Sequence, residues 1–259
     1  MGKSKIVNSI VRAALILQSI SNGNSRIGKI SENLNLSKGT THRLLETLGK
    51  VGFVVQDPLT HGYHLGPALL ELFSDPSLNH EVLFSCAFKQ MTYLRDRTGE
   101  TVLLDVRAGL QKVCIEKVDS LENLKYTNEK GFAAPIYVGG GGKVLLSLLE
   151  DEQIEMLLNQ ISFVPITPNT IIDKGKLWEE IKKARQQGYS TSFGERVLGS
   201  SCVSVPVKNY VTPVALSILG PAARFTEKRI IKILPELKQA GETVSEAIKR
   251  LRESAKNYE

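Results

Sequence analysis

Apolar residues recur at three- and four-residue steps through the first fifty positions of the chain, the period of a helix with one buried face. Over residues 4–21, Ile6, Ile10, Ala13/Ala14, Leu17 and Ile20 share a side, and Asn22-Gly23-Asn24-Ser25 ends the run. A short second helix is predicted over 27–34, with Ile27, Ile30 and Leu34 inward. Asn35-Leu36 makes a tight turn, and Ser37 is suited to cap a third helix reaching Val51. On that helix Leu44, Leu45, Leu48 and Val51 form the predicted buried stripe, opposite Lys38, Thr40, Thr41 and Arg43. Gly52 stops it. Two short strands follow, 53–56 and 63–65, around a loop in which Pro58 keeps its predecessor extended and Gly62 supplies a permissive backbone. Helix, short helix, turn, helix and hairpin, in that order, describe a winged helix-turn-helix.

After Gly66-Pro67 the pattern changes. A linker helix is predicted at 68–73 and a break at Ser74-Asp75-Pro76-Ser77. The remainder reads as mixed α/β. Helices are expected over 80–98, 142–149, 151–159, 173–187 and 226–252, and strands over 101–107, 111–118, 202–208 and 213–219. The expected division is therefore a DNA-binding domain at 1–66, a linker at 67–77 and an α/β domain at 78–259. No internal repeat or low-complexity segment interrupts it.

Charge sharpens this division. Residues 1–66 hold eight Lys and Arg against three Asp and Glu, a net +5 of the chain's total of +6. Three of the four histidines, His42, His61 and His64, lie there too. A small basic module on a near-neutral body suits a polyanionic partner, although a solvated basic surface has the same composition. The 42% apolar fraction is that of a globular chain, and no apolar run reaches the ~20 residues of a membrane span. The N-terminus lacks the pattern of an export signal. Three scattered cysteines, Cys86, Cys114 and Cys202, make neither a disulfide framework nor a zinc pattern, which fits a cytoplasmic location.

The third helix carries the most specific chemistry. The N-terminal part of a recognition helix lies nearest the base edges. Arg43 can offer two hydrogen bonds to guanine, Thr40, Thr41 and His42 can reach bases or phosphates, and Lys38 suits a phosphate. Thr60, His61 and Tyr63 on the hairpin are candidates for the backbone or minor groove. In the second domain, Gly139-Gly140-Gly141-Gly142 precedes a predicted helix, so its N–H groups would form a ready anion site, or simply a glycine-rich turn. It is not a nucleotide P-loop: Tyr137 stands where the first glycine belongs, and Val144 follows Lys143 in place of Ser or Thr. Cys202 lacks a following histidine to activate it and reads as a packed strand residue. His61 and His64 lack a third ligand, so neither a metal nor a cofactor is expected.

The run Ser37-Lys38-Gly39-Thr40-Thr41-His42-Arg43-Leu44-Leu45, followed by Gly52-Phe53 and Tyr63-His64-Leu65-Gly66, resembles the N-terminal domain of the IclR family of bacterial regulators. The likeness continues through RTGETVLL at 97–104, TPNTIID at 167–173, GYSTSFGERVLGSSCVSVPV at 188–207 and ALSILGP at 215–221. It covers nearly the whole chain with its parts in order. The resemblance implies a GAF-like α/β domain that binds a small effector, often an organic acid. It also implies homodimers or homotetramers on a palindromic operator. Carried over by position, the effector pocket is lined by Gly139, Gly140, Ser192, Cys202 and Ser217. Members with acid effectors usually show a Ser/Thr-Ala pair where this chain has Gly139-Gly140. They often have an acidic residue at Ser192, and Glu-Glu at Gly194-Glu195. These departures point to a roomier, less polar pocket and leave the effector open: an aromatic acid, a sugar acid or none. An enzyme carrying a DNA-binding module and a ligand-independent DNA binder are the competing classes.

Overall fold

A computed structural model of the chain describes residues 7–69 and 80–256. Ile16 and Ile20 of α1 (Asn8–Ser21), Ile30 of α2 (Ile27–Asn33), and Leu45 and Leu48 of α3 (Lys38–Lys50) close one core. Val54 of β1 (Val54–Gln56) and Tyr63 of β2 (Tyr63–Leu65) complete it. The strands pair antiparallel as a hairpin, Val54 opposite Leu65. This is the expected winged helix-turn-helix, with two residues of the predicted buried stripes left outside the core. Ile10 is 68% exposed and Val51 55% exposed, while Ile16 is fully buried. The two misread residues lie near helix ends, where little of the small core reaches them.

The chain divides between Asn79 and His80. Pro67, Ala68 and Leu69 are helical, and the rest of the predicted linker helix and the break at 74–77 lie outside the described residues. The second unit is built on a six-stranded sheet: β3 (Thr101–Ala108), β4 (Gln111–Val118), β5 (Ala133–Pro135), β6 (Ser190–Phe193), β7 (Ser200–Val207) and β8 (Val214–Pro221). Their order is β5-β4-β3-β8-β7-β6, antiparallel throughout. On one face lie α4 (Glu81–Thr98) and the long α8 (Glu227–Lys256). They pack Leu83, Met91, Leu94, Ile230, Leu237 and Val244 against strand residues of the same core. The other face is covered by α5 (Gly139–Ser147), α6 (Asp151–Gln160) and α7 (Lys174–Gln187) around a second core with Leu145, Ile154 and Leu177.

Strand alternation sorts the side chains between these faces. Val203, Val205 and Val207 of β7, and Val214, Leu216 and Ile218 of β8, point to the α4/α8 core. The intervening Cys202 and Ser204 of β7 and Ser217 of β8 therefore point to the α5 side. The same parity on β3 and β4 sends Leu103, Asp105, Lys112 and Cys114 to the α5 side. Two strands were not expected from the sequence: β5, whose three residues are Ala-Ala-Pro, and β6, whose buried positions are Ser190 and Ser192. β5 lacks the β-branched and aromatic residues by which a strand is recognised, and β6 is only four residues long with serines at its buried positions.

Candidate DNA-contact face and effector cavity

Ser37 caps α3. Its Oγ accepts the Thr40 N–H at 3.2 Å and donates to Thr40 Oγ1 at 2.9 Å, which orders the first turn and leaves Thr40 half-buried. Lys38, His42 and Arg43 are exposed on this helix. Lys38 and Arg43 form no ion pair or side-chain hydrogen bond with another described residue, so both charges are free for an outside partner. Thr41 corrects the expected contact face. It is fully buried, its Oγ1 donates to Ser37 O at 3.1 Å, and Ser31 Oγ lies 3.1 Å from it. Thr41 is four residues before Leu45, so the phase that buries Leu45 turns Thr41 inward as well.

The hairpin loop is organised by Asp57. Its Oδ1 accepts the Leu59 N–H at 2.8 Å and the Thr60 N–H at 3.0 Å, bonds that hold the carboxyl below the usual aspartate range. His61 N–H donates back to Asp57 O at 2.9 Å. The left-handed position of the loop is His61, with φ +55°, and not Gly62. Thr60 and His61 project as exposed side chains at the tip, as expected. Tyr63 does not. Its ring is 9% exposed and packs in the core, and its N–H donates to Ser25 O at 2.7 Å, tying the hairpin to the α1–α2 loop.

In the second unit, Gly139, Gly140, Ser192, Cys202 and Ser217 all line one cavity of about 30 Å³ between the start of α5 and the sheet. These residues come from four separate stretches of chain, and the fold brings them together. The glycine run is itself the first turn of α5 and not a loop before it. Space requires this composition. A Cβ on Gly142 would fall 1.9 Å from Ile136 O, and one on Gly141 would fall 2.8 Å from Asp105 Oδ2.

Two expectations about the pocket are overturned. The first is that it is roomy and less polar. The cavity holds about two waters, and Asp105, Lys112, Asn128 and Arg196 line it along with the serines. Asp105 and Lys112 are 1% and 8% exposed, with Lys112 Nζ 3.4 Å from Asp105 Oδ2. The signal for both was parity: each is a charged residue on an inward-facing strand position. The second is that the α5 N-terminus is wholly free. Glu195 Oε2 already accepts the Gly139 N–H at 2.9 Å, while its Oε1 accepts from the buried Lys143 Nζ at 2.7 Å. Lys143 also reaches Glu180 at 3.4 Å. Arg196 donates to Asn128 Oδ1 at 2.6 Å and lies 5.0 Å over the Phe132 ring. Its burial lowers its affinity for the proton.

Neither thiol here is activated by its surroundings. Burial raises the Cys202 pKa, and burial followed by the Asp105 charge pushes Cys114 up to about 12. His80 pairs with Tyr210 at 2.9 Å. Among the described residues no group of three or more His, Cys, Asp or Glu is placed to hold a metal ion, and no helix is long and apolar enough to cross a membrane.

A winged helix-turn-helix with an exposed basic third helix, joined in one chain to an α/β unit with a polar cavity, defines a DNA-binding transcriptional regulator. The chain belongs to the IclR family. The family model for the bacterial transcriptional regulator IclR C-terminal domain matches residues 77–246, and that for the IclR helix-turn-helix domain matches 9–58. The HTH-type transcriptional repressor AllR of Escherichia coli K12 is 32% identical over 231 residues, 88% of this chain and 85% of AllR. Among solved structures, the Thermotoga maritima IclR has a TM-score of 0.63 at 28% identity, covering 94% of this chain and 99% of its own. A Rhodococcus regulator of the IclR family has a TM-score of 0.75 at 27% identity, covering 95% of this chain and 97% of its own.

Proposed function

We propose that this regulator binds a palindromic operator as a homodimer or homotetramer in the cytoplasm, and that a small organic acid in the α5 cavity shifts its operator affinity. The α3 helix and hairpin serve as the DNA-contact face: Arg43 reads a base, Lys38 and His42 meet phosphates, Thr40 helps position the helix start, and Thr60 and His61 reach the flanking groove or backbone. Domain limits of 1–66 and 78–259, joined by a linker at 67–77, suit this division of labour. The sign of regulation is taken as repression, because the curated relative is named a repressor.

The observation that carries the reading is the convergence of Gly139, Gly140, Ser192, Cys202 and Ser217 on one buried polar cavity. An acid there can bias operator affinity only by its differential affinity for the two DNA-binding states. The test is a salt-dependent titration on the DNA upstream of the gene against a random duplex of equal length. A specificity ratio above ~10³ supports the reading. Equal weak binding to both duplexes argues for a nonspecific binder. The enzymatic alternative is disfavoured by the buried, high-pKa Cys202 thiol and by His80 lying against Tyr210. Turnover by the purified full chain would revive it.

A further inference from the structure

The cavity contains more charge than its role as a general acid pocket requires. An ionised Asp can accept about four hydrogen bonds and a Lys ammonium can donate three. Asp105 and Lys112, both nine-tenths buried or more, make only one between them, and it is long at 3.4 Å. Arg196 donates one side-chain bond, to Asn128 Oδ1. All three side chains line the same cavity. The glycine run fits around them: an added Cβ on Gly139 would come 3.9 Å from Lys112 Nζ, and one on Gly141 would come 2.8 Å from Asp105 Oδ2. Lys143 and Glu195 neutralise each other in a separate pair at 2.7 Å. With the start of α5 already capped by Glu195, the cavity lining sets two cations, Lys112 and Arg196, against a single carboxylate, Asp105.

We propose that the Asp105–Lys112 pair is the specificity element of this site, selecting a small monocarboxylate that carries a hydrogen-bond donor on the adjacent carbon. The proposal rests on the cavity being the effector site. The ligand carboxylate takes Lys112, with Arg196 as the second counter-charge, and the ligand hydroxyl or N–H donates to Asp105. One added negative charge balances the cavity. A second would face the buried Asp105 carboxylate with little water to screen it, so dicarboxylates are excluded. An acid without the donor leaves the Asp105 lone pairs unsatisfied and binds less well.

Calorimetric titration of the full chain with glycolate, acetate, malonate and glycolamide tests this. Glycolate should bind at least about tenfold more tightly than acetate or malonate, and glycolamide should not bind measurably. In Asp105→Asn the glycolate preference over acetate should collapse and malonate should gain, while Lys112→Met should lose all the acids. The wild-type series alone decides the matter should either variant fail to fold. Equal affinities for glycolate and acetate, or an unchanged preference in folded Asp105→Asn, overturn the Asp105 role and leave the cavity standing as an acid site. Failure of glycolate to bind at millimolar concentration also overturns the proposal. Release of operator DNA by some other compound, abolished by Ser217→Leu, would then show that the effector site itself survives.

Discussion

Glu195 caps Gly139, 56 positions earlier in the chain, its Oε2 2.9 Å from the Gly139 nitrogen, while its other oxygen holds Lys143 at 2.7 Å. One carboxylate thus closes the helix end and the buried ammonium at once. Removing the Glu195 charge leaves the buried Lys143 with only the longer, partly exposed contact to Glu180 at 3.4 Å. Glu195→Gln should therefore destabilise the protein by about 3–5 kcal/mol, read from the urea midpoint at constant m. A loss below about 1 kcal/mol would mean that water replaces the pair freely.

On the DNA face, Arg43→Ala should cost about 1–3 kcal/mol and relax preference at a single base position. Uniform weakening across a set of operator variants would instead make Arg43 a phosphate contact. Lys38→Ala should weaken all sequences alike and flatten the slope of log affinity against log salt by about one. An unchanged slope rejects its phosphate role.

Thr41 provides the converse experiment. Its hydroxyl bonds within the core, and Thr41→Val keeps the shape while removing that bond. Stability should fall by about 1 kcal/mol. Affinity for the operator, corrected to the folded fraction, should stay at the wild-type value, whereas a residue on the contact surface would lower it.

The acid limb of stability has a clear contributor in Glu236 of the second unit. Arg97 and Tyr93 hydrogen-bond Glu236 and hold its carboxyl down to about 2, from an ordinary 4.5. A depressed carboxyl stabilises the folded state above its unfolded pKa, and that contribution is lost as pH falls through the folded value. Thermal midpoints of wild type and Glu236→Gln should therefore differ by a constant amount above about pH 5 and converge toward pH 2. A gap that stays constant across that range would show that the charge of Glu236 contributes nothing.

The fold was legible where period and punctuation agreed. The α3 cap, the hairpin, the valine alternation of β7 and the long apolar stripe of α8 all follow from local pattern. Thr41 and Tyr63 were misassigned because polarity was read as exposure, whereas a hydroxyl that finds a bond can sit in a core. The cavity residues carried by resemblance came together as a set, but Asp105 and Lys112 were overlooked. Each sits in an otherwise ordinary β-run, and only the register of β3 with β4 and β8 brings them to the glycine turn. The capping of Gly139 by Glu195 was equally hidden, since no local pattern predicts a contact across 56 positions.

Buried donors and acceptors with spare capacity have a thermodynamic corollary. The free protein is held below the stability its fold could reach, and whatever satisfies those groups returns the difference, by about 2.7 kcal/mol at a ligand concentration one hundred times its dissociation constant. Under the proposed function, the protein doubles as its own calorimeter. A melting curve taken in the presence of one metabolite after another can find the natural signal before a single operator sequence is known.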